Sequence, residues 1–289
     1  MRDFVIMTDS CCDLPAQVAE ELELTVLPLH VLIGEETFAN HLDGREIGFK
    51  AFYDRVRGGA MPTTSAVSVG SFEDAMRAIL QEGKDILCLN FSSAMSTTYQ
   101  SAVIAAETLR EEFPEATIHV LDTLAASVGQ GLLIYLCAQE KKAGKSIDEV
   151  YEYAKDMAPH MAHWVTVDDL NHLKRGGRIS ATTAFVGSML SIKPIIYVNE
   201  EGKLINVGKA RGRKPALLQV VSEMEKRLMD PSLPVFISHG DCEEDAKFVA
   251  EEVHKRTGAE VKVISYVGPV IGAHTGAGVL ALCFVGKER

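Results

Sequence analysis

The sequence is short of the features that mark a nucleic-acid binder, a disulfide scaffold or a membrane protein. Its 289 residues hold 29 Lys or Arg against 40 Asp or Glu, a formal net charge of −11 at pH 7. A chain so poor in positive charge lacks the basic surface that a phosphate backbone demands, which argues against nucleic acid as partner. Its six cysteines (Cys11, Cys12, Cys88, Cys137, Cys242 and Cys283) show no Cys-x-x-Cys spacing, and no His/Cys/Asp cluster has zinc-ligand spacing. Cys88, Cys137 and Cys283 stand inside apolar runs and read as buried thiols of a reducing compartment. No run approaches the ~20 apolar residues of a membrane span. The apolar stretch after Met1 is too short for a signal peptide, so the expected location is cytoplasmic.

What is present is a globular composition, 47% hydrophobic and 24% charged, in a chain long enough for two domains. Strand and helix patterns alternate through the first half: strands at 4–8, 25–33, 86–91 and 117–121, helices at 15–22, 49–56, 71–80, 99–112 and 128–142. Ser71 is the expected N-cap of the third helix. Such βαβ succession predicts a mostly parallel sheet flanked by helices, with ligands beyond the carboxyl ends of the strands. After a helix at 147–157 the pattern breaks around Pro159 to His163. The domain boundary is expected there, giving an α/β domain over 1–162 and an α+β domain over 163–289. The second half carries a hairpin, 193–199 and 203–208 around Glu200-Glu201-Gly202, further strands at 235–239, 261–266 and 279–285, and helices at 216–229 and 244–256. Its sheet is expected to be mixed or antiparallel.

The chemistry concentrates in loops. Ser92, Ser93, Ser96, Thr97 and Thr98 crowd a strand-to-helix connection, where the free N–H groups of a first helical turn and neighbouring hydroxyls can accept an anion without a formal positive charge. Thr63, Thr64 and Ser65 form a second such segment upstream. Two uncharged hydroxyl loops suggest an acid that is gripped, not a bond that is broken. Asp9, Ser10 and Asp13 follow the first strand and read as caps. The run Gly268 to Gly278 surrounds His274 with four glycines. It is neither a phosphate loop, lacking Gly-Lys-Ser/Thr, nor a dinucleotide fingerprint, since a strand follows it. A hydrolase triad of Ser96, His274 and Asp122 is the alternative reading, but Ser96 lacks the Gly-x-Ser-x-Gly elbow, with Ala94 and Thr98 at the flanking positions. Lys203, Lys209, Arg211, Arg213 and Lys214 make a cationic patch suited either to solvent or to an acidic partner. Lys174-Arg175-Gly176-Gly177-Arg178 is a similar cluster, its glycines closing a short helix.

These motifs occur in a familiar order. Thr8-Asp9-Ser10, Pro62 to Ser65, Ser92 to Ala102, Val167 to Leu170 with Leu173 to Ser180, Lys193-Pro194-Ile195, Arg211 to Lys214 and Gly272 to Gly276 resemble the DegV family of bacterial fatty-acid-binding proteins, over residues 2–286. The resemblance implies a carrier and not an enzyme: a long-chain fatty acid such as palmitate in a buried tunnel, no other cofactor, and a separate fatty acid kinase that phosphorylates the carboxyl group for phospholipid synthesis. By position, Thr64, Ser96 and His274 resemble the carboxylate-holding residues, with Thr63, Ser65, Ser92 and Ser93 beside them. Arg211 falls in the region offered to the kinase. Absence of a Lys or Arg clamp would keep the carboxylate a good nucleophile. The family's Gln-Pro after the Thr-Ser pair is Ala66-Val67 here, its second-loop glycines are Ala94 and Thr97, and its proline near the end is Ala277.

Overall fold

The computed structural model describes residues 2–179 and 191–289; Ser180, the last residue of one motif above, lies outside them. In chain order the first half runs β1 (Phe4–Asp9), α1 (Ala16–Glu21), β2 (Thr25–Leu27), β3 (His30–Ile33), β4 (Glu36–Ala39), α2 (Phe49–Arg57) and β5 (Thr63–Ser65). It continues with α3 (Val69–Gln81), β6 (Asp85–Asn90), α4 (Thr98–Glu112), β7 (Ile118–Asp122), α5 (Val128–Lys142) and α6 (Ile147–Met157). The remainder is β8 (Met161–Thr166), α7 (Asn171–Arg175), β9 (Ile192–Val198), β10 (Leu204–Arg211), α8 (Arg213–Arg227), β11 (Val235–His239), α9 (Glu243–Thr257), β12 (Val261–Tyr266), α10 (Pro269–Thr275) and β13 (Leu280–Val285).

The expected fold class holds. Strands β2-β1-β6-β7 form a wholly parallel sheet. Strands β10-β9-β8-β13-β11-β12 form a mixed sheet, in which only β11 and β12 run parallel. A third, antiparallel sheet, β4-β3-β5, is an addition. The segment 25–33 is two strands, not one: the chain turns at Pro28, sending β2 to the parallel sheet and β3 to the small one. The pattern break at 159–163 is a 3₁₀ turn, Ala158–His160, running straight into β8, a fully buried interior strand of the mixed sheet. The expected division after residue 162 falls within that strand.

Caps follow the side-chain chemistry. Asp9 closes the turn after β1, its carboxylate accepting from Cys11 N at 3.0 Å. Helix α3 starts two residues before the expected cap: Ser68 is the N-cap and accepts from Ser71 N at 3.1 Å. Helix α6 carries a full capping box between Ser146 and Glu149. The cysteines are all free; five are buried and Cys242 is partly so.

Helix α5 has almost no wet face over its first three turns. From Val128 to Ala138 every residue but Tyr135 is buried, the signature of a helix enclosed on all sides. It packs against β6 and α6 on one side and β8, β11 and β13 on the other. Two glycines set its spacing. A Cβ on Gly129 would lie 2.0 Å from His163 Nε2, and one on Gly131 would lie 2.7 Å from the Cys12 carbonyl. Gly129→Ala should therefore lower stability by about 1–3 kcal/mol, the ordinary cost of overpacking a dense core. Urea unfolding measures it, and an unchanged midpoint would mean that β8 yields freely to the added methyl.

Candidate functional site

The upstream hydroxyl segment is a strand and not a loop. As β5 it pairs with β3, Thr64 opposite Val31, and this register carries Thr64 to α10. Thr64 Oγ1 lies 2.8 Å from His274 Nε2, across 210 residues of sequence. The glycine-rich run that contains His274 conceals the short helix α10, whose last turn bears the imidazole. Gly176, closing α7, makes room for the ring: a Cβ there would sit 2.2 Å from His274 Nδ1.

The second hydroxyl segment is a loop, as expected. Ser96 Oγ lies 2.9 Å from Thr98 Oγ1 and accepts from Thr98 N at 3.2 Å, holding the start of α4. Ser92 faces the other way and donates to the Gly202 carbonyl at 2.9 Å, tying the loop to the β9–β10 hairpin. Gly202, at φ +74°, leaves no space for a Cβ against that hydroxyl. Ser93 N donates to Asp122 at 3.1 Å, and Asp122 also accepts from Leu124 N. Asp122, Ser96 and His274 are thus each engaged elsewhere, and no hydrolase relay joins them.

Between the parallel sheet and the mixed sheet lies a cavity of about 450 Å³. Its floor is one face of the mixed sheet: Val165, Ile196 and Ala281 are cross-strand neighbours, with Val198 beside Leu204 further along. Val270 and Ile271 of α10, Leu29 and Phe91 cover it. Thr64, Ser65, Ser93, Ser96 and His274 also line it. Thr63 is exposed on the surface, and Ser92 is buried in the hairpin contact.

Four polar lining residues escape the sequence reading of the site: Arg178, Ser127, His163 and Thr275, the last with its hydroxyl donating to the Ile271 carbonyl. Arg178 corrects the expectation of a cavity without a cation. Its Nε donates to the Met95 carbonyl at 3.1 Å and its Nη1 to the Gly176 carbonyl at 2.5 Å, so the guanidinium is pinned by backbone. Its signal was the Gly-Gly-Arg run, which reads equally well as a helix end. His163 is buried, its Nδ1 2.8 Å from the Met161 carbonyl, while Nε2 accepts from Ala126 N at 3.2 Å. Burial, and then the Arg289 cation, hold its pKa down at about 3. Arg211 is exposed at the end of β10. Of its neighbours, Lys203 pairs with Glu201 at 2.6 Å, Arg213 with Asp245 at 2.8 Å, and Lys214 lies over the Phe248 ring.

Burial, and then the cations Arg178 and Arg175, push the His274 pKa down to about 4, so the ring is neutral at physiological pH. Because the folded value is below the unfolded value of ~6.5, this ring costs stability as pH falls through that interval. Titration of its ring signals by NMR should give a midpoint near 4, and Arg178→Ala should raise it. A midpoint at the ordinary histidine value in the unaltered protein would mean a solvated ring.

The sequence model described as "Uncharacterised protein, DegV family" matches residues 3–287. The DegV domain-containing protein CPE0026 of Clostridium perfringens is 47% identical over 290 residues, spanning 100% of this chain and 99% of the relative. Among solved structures, a fatty-acid-binding DegV family protein of Thermus thermophilus superposes with a TM-score of 0.86 at 30% identity, over 98% of this chain and 99% of that one. A stearic-acid-binding protein of Eubacterium ventriosum gives 0.87 at 25% identity, over 97% and 98%. With the motifs, the fold and whole-length similarity in agreement, this chain belongs to the DegV family.

Proposed function

We propose that this protein is a non-catalytic carrier that encloses a long-chain fatty acid and holds its carboxylate at Thr64, Ser96 and His274. The observation that carries the reading is the Thr64–His274 pair, a neutral hydrogen-bonding head on a cavity whose floor and cover are largely apolar. The solved relatives from Thermus thermophilus and Eubacterium ventriosum bind fatty acids, which supports the same ligand class here. The cavity volume falls in the ordinary ~300–1,000 Å³ range of small-molecule sites.

Magnitudes assign the roles. An acyl tail of ~14 methylenes at ~0.8 kcal/mol each is worth roughly 11 kcal/mol gross, before immobilisation is subtracted. The tail supplies affinity. The head must only avoid the penalty of a buried, unpaired carboxylate, which costs several kcal/mol. Thr64 Oγ1–H can donate to the acid while its oxygen accepts from His274 Nε2–H in the corresponding tautomer. Ser93 and Ser65 stand at the rim as further donors. Arg178 adds a positive field, and because its bonds run to carbonyls it does not have to form a tight ion pair with the acid.

A carboxylate held this way keeps a lone pair for chemistry outside the protein. We propose that a separate fatty acid kinase docks near Arg211; there a carboxylate oxygen attacks the γ-phosphorus of ATP, the bond to the bridging oxygen breaks, and ADP leaves with an acyl phosphate formed. The acyl phosphate would feed phospholipid synthesis, and the protein itself would contribute position only.

Native mass spectrometry of protein purified from a bacterial host should show a fixed mass increment from a co-purified acid. Thr64→Ala should weaken stearate binding about tenfold, the worth of one charge-assisted hydrogen bond. Protein that carries no acid and takes up no stearate would sink the carrier reading. For the partner, Arg211→Glu should slow acyl-phosphate formation in a kinase-coupled assay while stearate retention stays unchanged. If retention and turnover fall together, the arginine serves the fold.

A further inference from the structure

A head group is gripped reproducibly only if the helix bearing His274 is itself fixed. Helix α10 spans seven residues, too short to persist without tertiary support. Its N-cap is Gly268, which has no side chain to satisfy the first turn. A residue from the opposite end of the chain supplies the anchor. Gly268 N donates to Asp13 Oδ1 at 2.9 Å, and the other carboxyl oxygen, Oδ2, accepts from Ser127 Oγ at 2.5 Å. Ser127 Oγ lies 2.8 Å from Ser238 Oγ on β11, and Ser265 Oγ on β12 donates to the Asp13 carbonyl at 2.7 Å. Asp13 thus ties the start of α10 to the start of α5 and to two strands of the mixed sheet.

Three local features show how closely this junction is fitted. Asp13 and Ser127 both adopt positive φ, +49° and +51°, a region that non-glycine residues avoid unless their surroundings impose it. A Cβ on Gly268 would lie 2.7 Å from Asp13 Oδ1 and 3.0 Å from Asn40 Nδ2, so only glycine lets the helix start meet the carboxyl. Asp13 is 4% exposed; burial pushes its pKa up to about 7, against the lowering by its bonds to Ser127 and Gly268. A desolvated acid at such a junction needs its hydrogen bonds, and here both of them reach elements that line the acyl cavity.

We propose that Asp13 is the positioning residue of the acid-binding site, fixing α10 so that His274 meets Thr64. The inference rests on the reading that these two residues hold the carboxylate. Tyr53, which donates to the Val267 carbonyl at 2.7 Å, steadies the same segment from α2, so loss of the Asp13 anchor should displace α10 without unfolding the chain.

The test uses the full chain with two ligands, stearate and octadecan-1-ol, the second reporting the tail alone. Asp13→Ala should weaken stearate about tenfold while octadecanol binding stays within about twofold. The His274 titration midpoint should move from about 4 toward the ordinary histidine value. Asp13→Asn, whose amide oxygen can still accept from Gly268 N, should restore both. Equal weakening of the two ligands with an unmoved His274 midpoint would overturn the proposal, as would wild-type behaviour of Asp13→Ala. Should Asp13→Ala fail to fold, Gly268→Ala decides, because its methyl displaces the helix start and leaves the carboxyl in place. A folded Gly268→Ala protein with the original midpoint and stearate affinity also refutes it. If His274→Ala binds stearate as tightly as the unaltered protein, the head-group reading has failed, and the titration midpoint alone judges the anchor.

Discussion

A helix that must be apolar on every side dictates much of this molecule. Helix α5 is pressed between the parallel sheet and the mixed sheet, with Gly129 against His163 and Gly131 against the Cys12 carbonyl. Because both sheets seal onto it, neither can shift far without exposing the other's inner face. The segment leading into the helix is shared by both halves. Thr123 and Leu124 offer carbonyls to Arg289, Ala125 accepts from Ser92 N, and Ala126 and Ser127 line the cavity. The cavity therefore borders the seam between the sheets, where side chains from distant parts of the chain converge.

The electrostatics of that seam are those of a site that tolerates negative charge without neutralising it tightly. Hydroxyls and a neutral imidazole face the cavity, and among the described residues the one cation that lines it is bound to two carbonyls. A guanidinium with its donors partly committed contributes field more than contact. Behind it, the carboxylates of Asp9 and Asp13 are enclosed by backbone N–H and hydroxyl donors. Their burial raises both pKa values, to about 6 and about 7, and neither residue lines the cavity.

The sequence was most legible where periodicity and local chemistry coincide. Alternating patterns located the parallel strands and their helices, and Glu200-Glu201-Gly202 marked the hairpin because Gly202 suits its left-handed turn. Strand β8 was not legible: it lies inside a sheet, fully buried, and a buried strand shows no alternation of polar and apolar residues. Helix α10 was hidden by its glycines, which disfavour a helix intrinsically and serve here to let Phe52, Tyr53 and His172 approach. The cap of α3 is Ser68 and not the expected Ser71, because the backbone, and no local pattern, decides which hydroxyl meets the first turn. Of the site, the hydroxyl segments and His274 were readable as residue types in unusual company. That Thr64 and not Ser96 meets the imidazole, and that Arg178 enters the cavity, depends on tertiary contacts that no local pattern encodes.

The cysteines have a practical corollary. Burial pushes all six thiols above their ordinary ionisation, and it is the thiolate that reacts with electrophiles. Five of them are buried as small apolar filling, and Cys242, partly buried, donates to the Val279 carbonyl, so slow reaction with a maleimide is expected of all six. One engineered cysteine on the exposed rim, at Ala94 for example, would outcompete them for a dye. Occupancy of the cavity could then be followed by fluorescence in the otherwise unaltered chain.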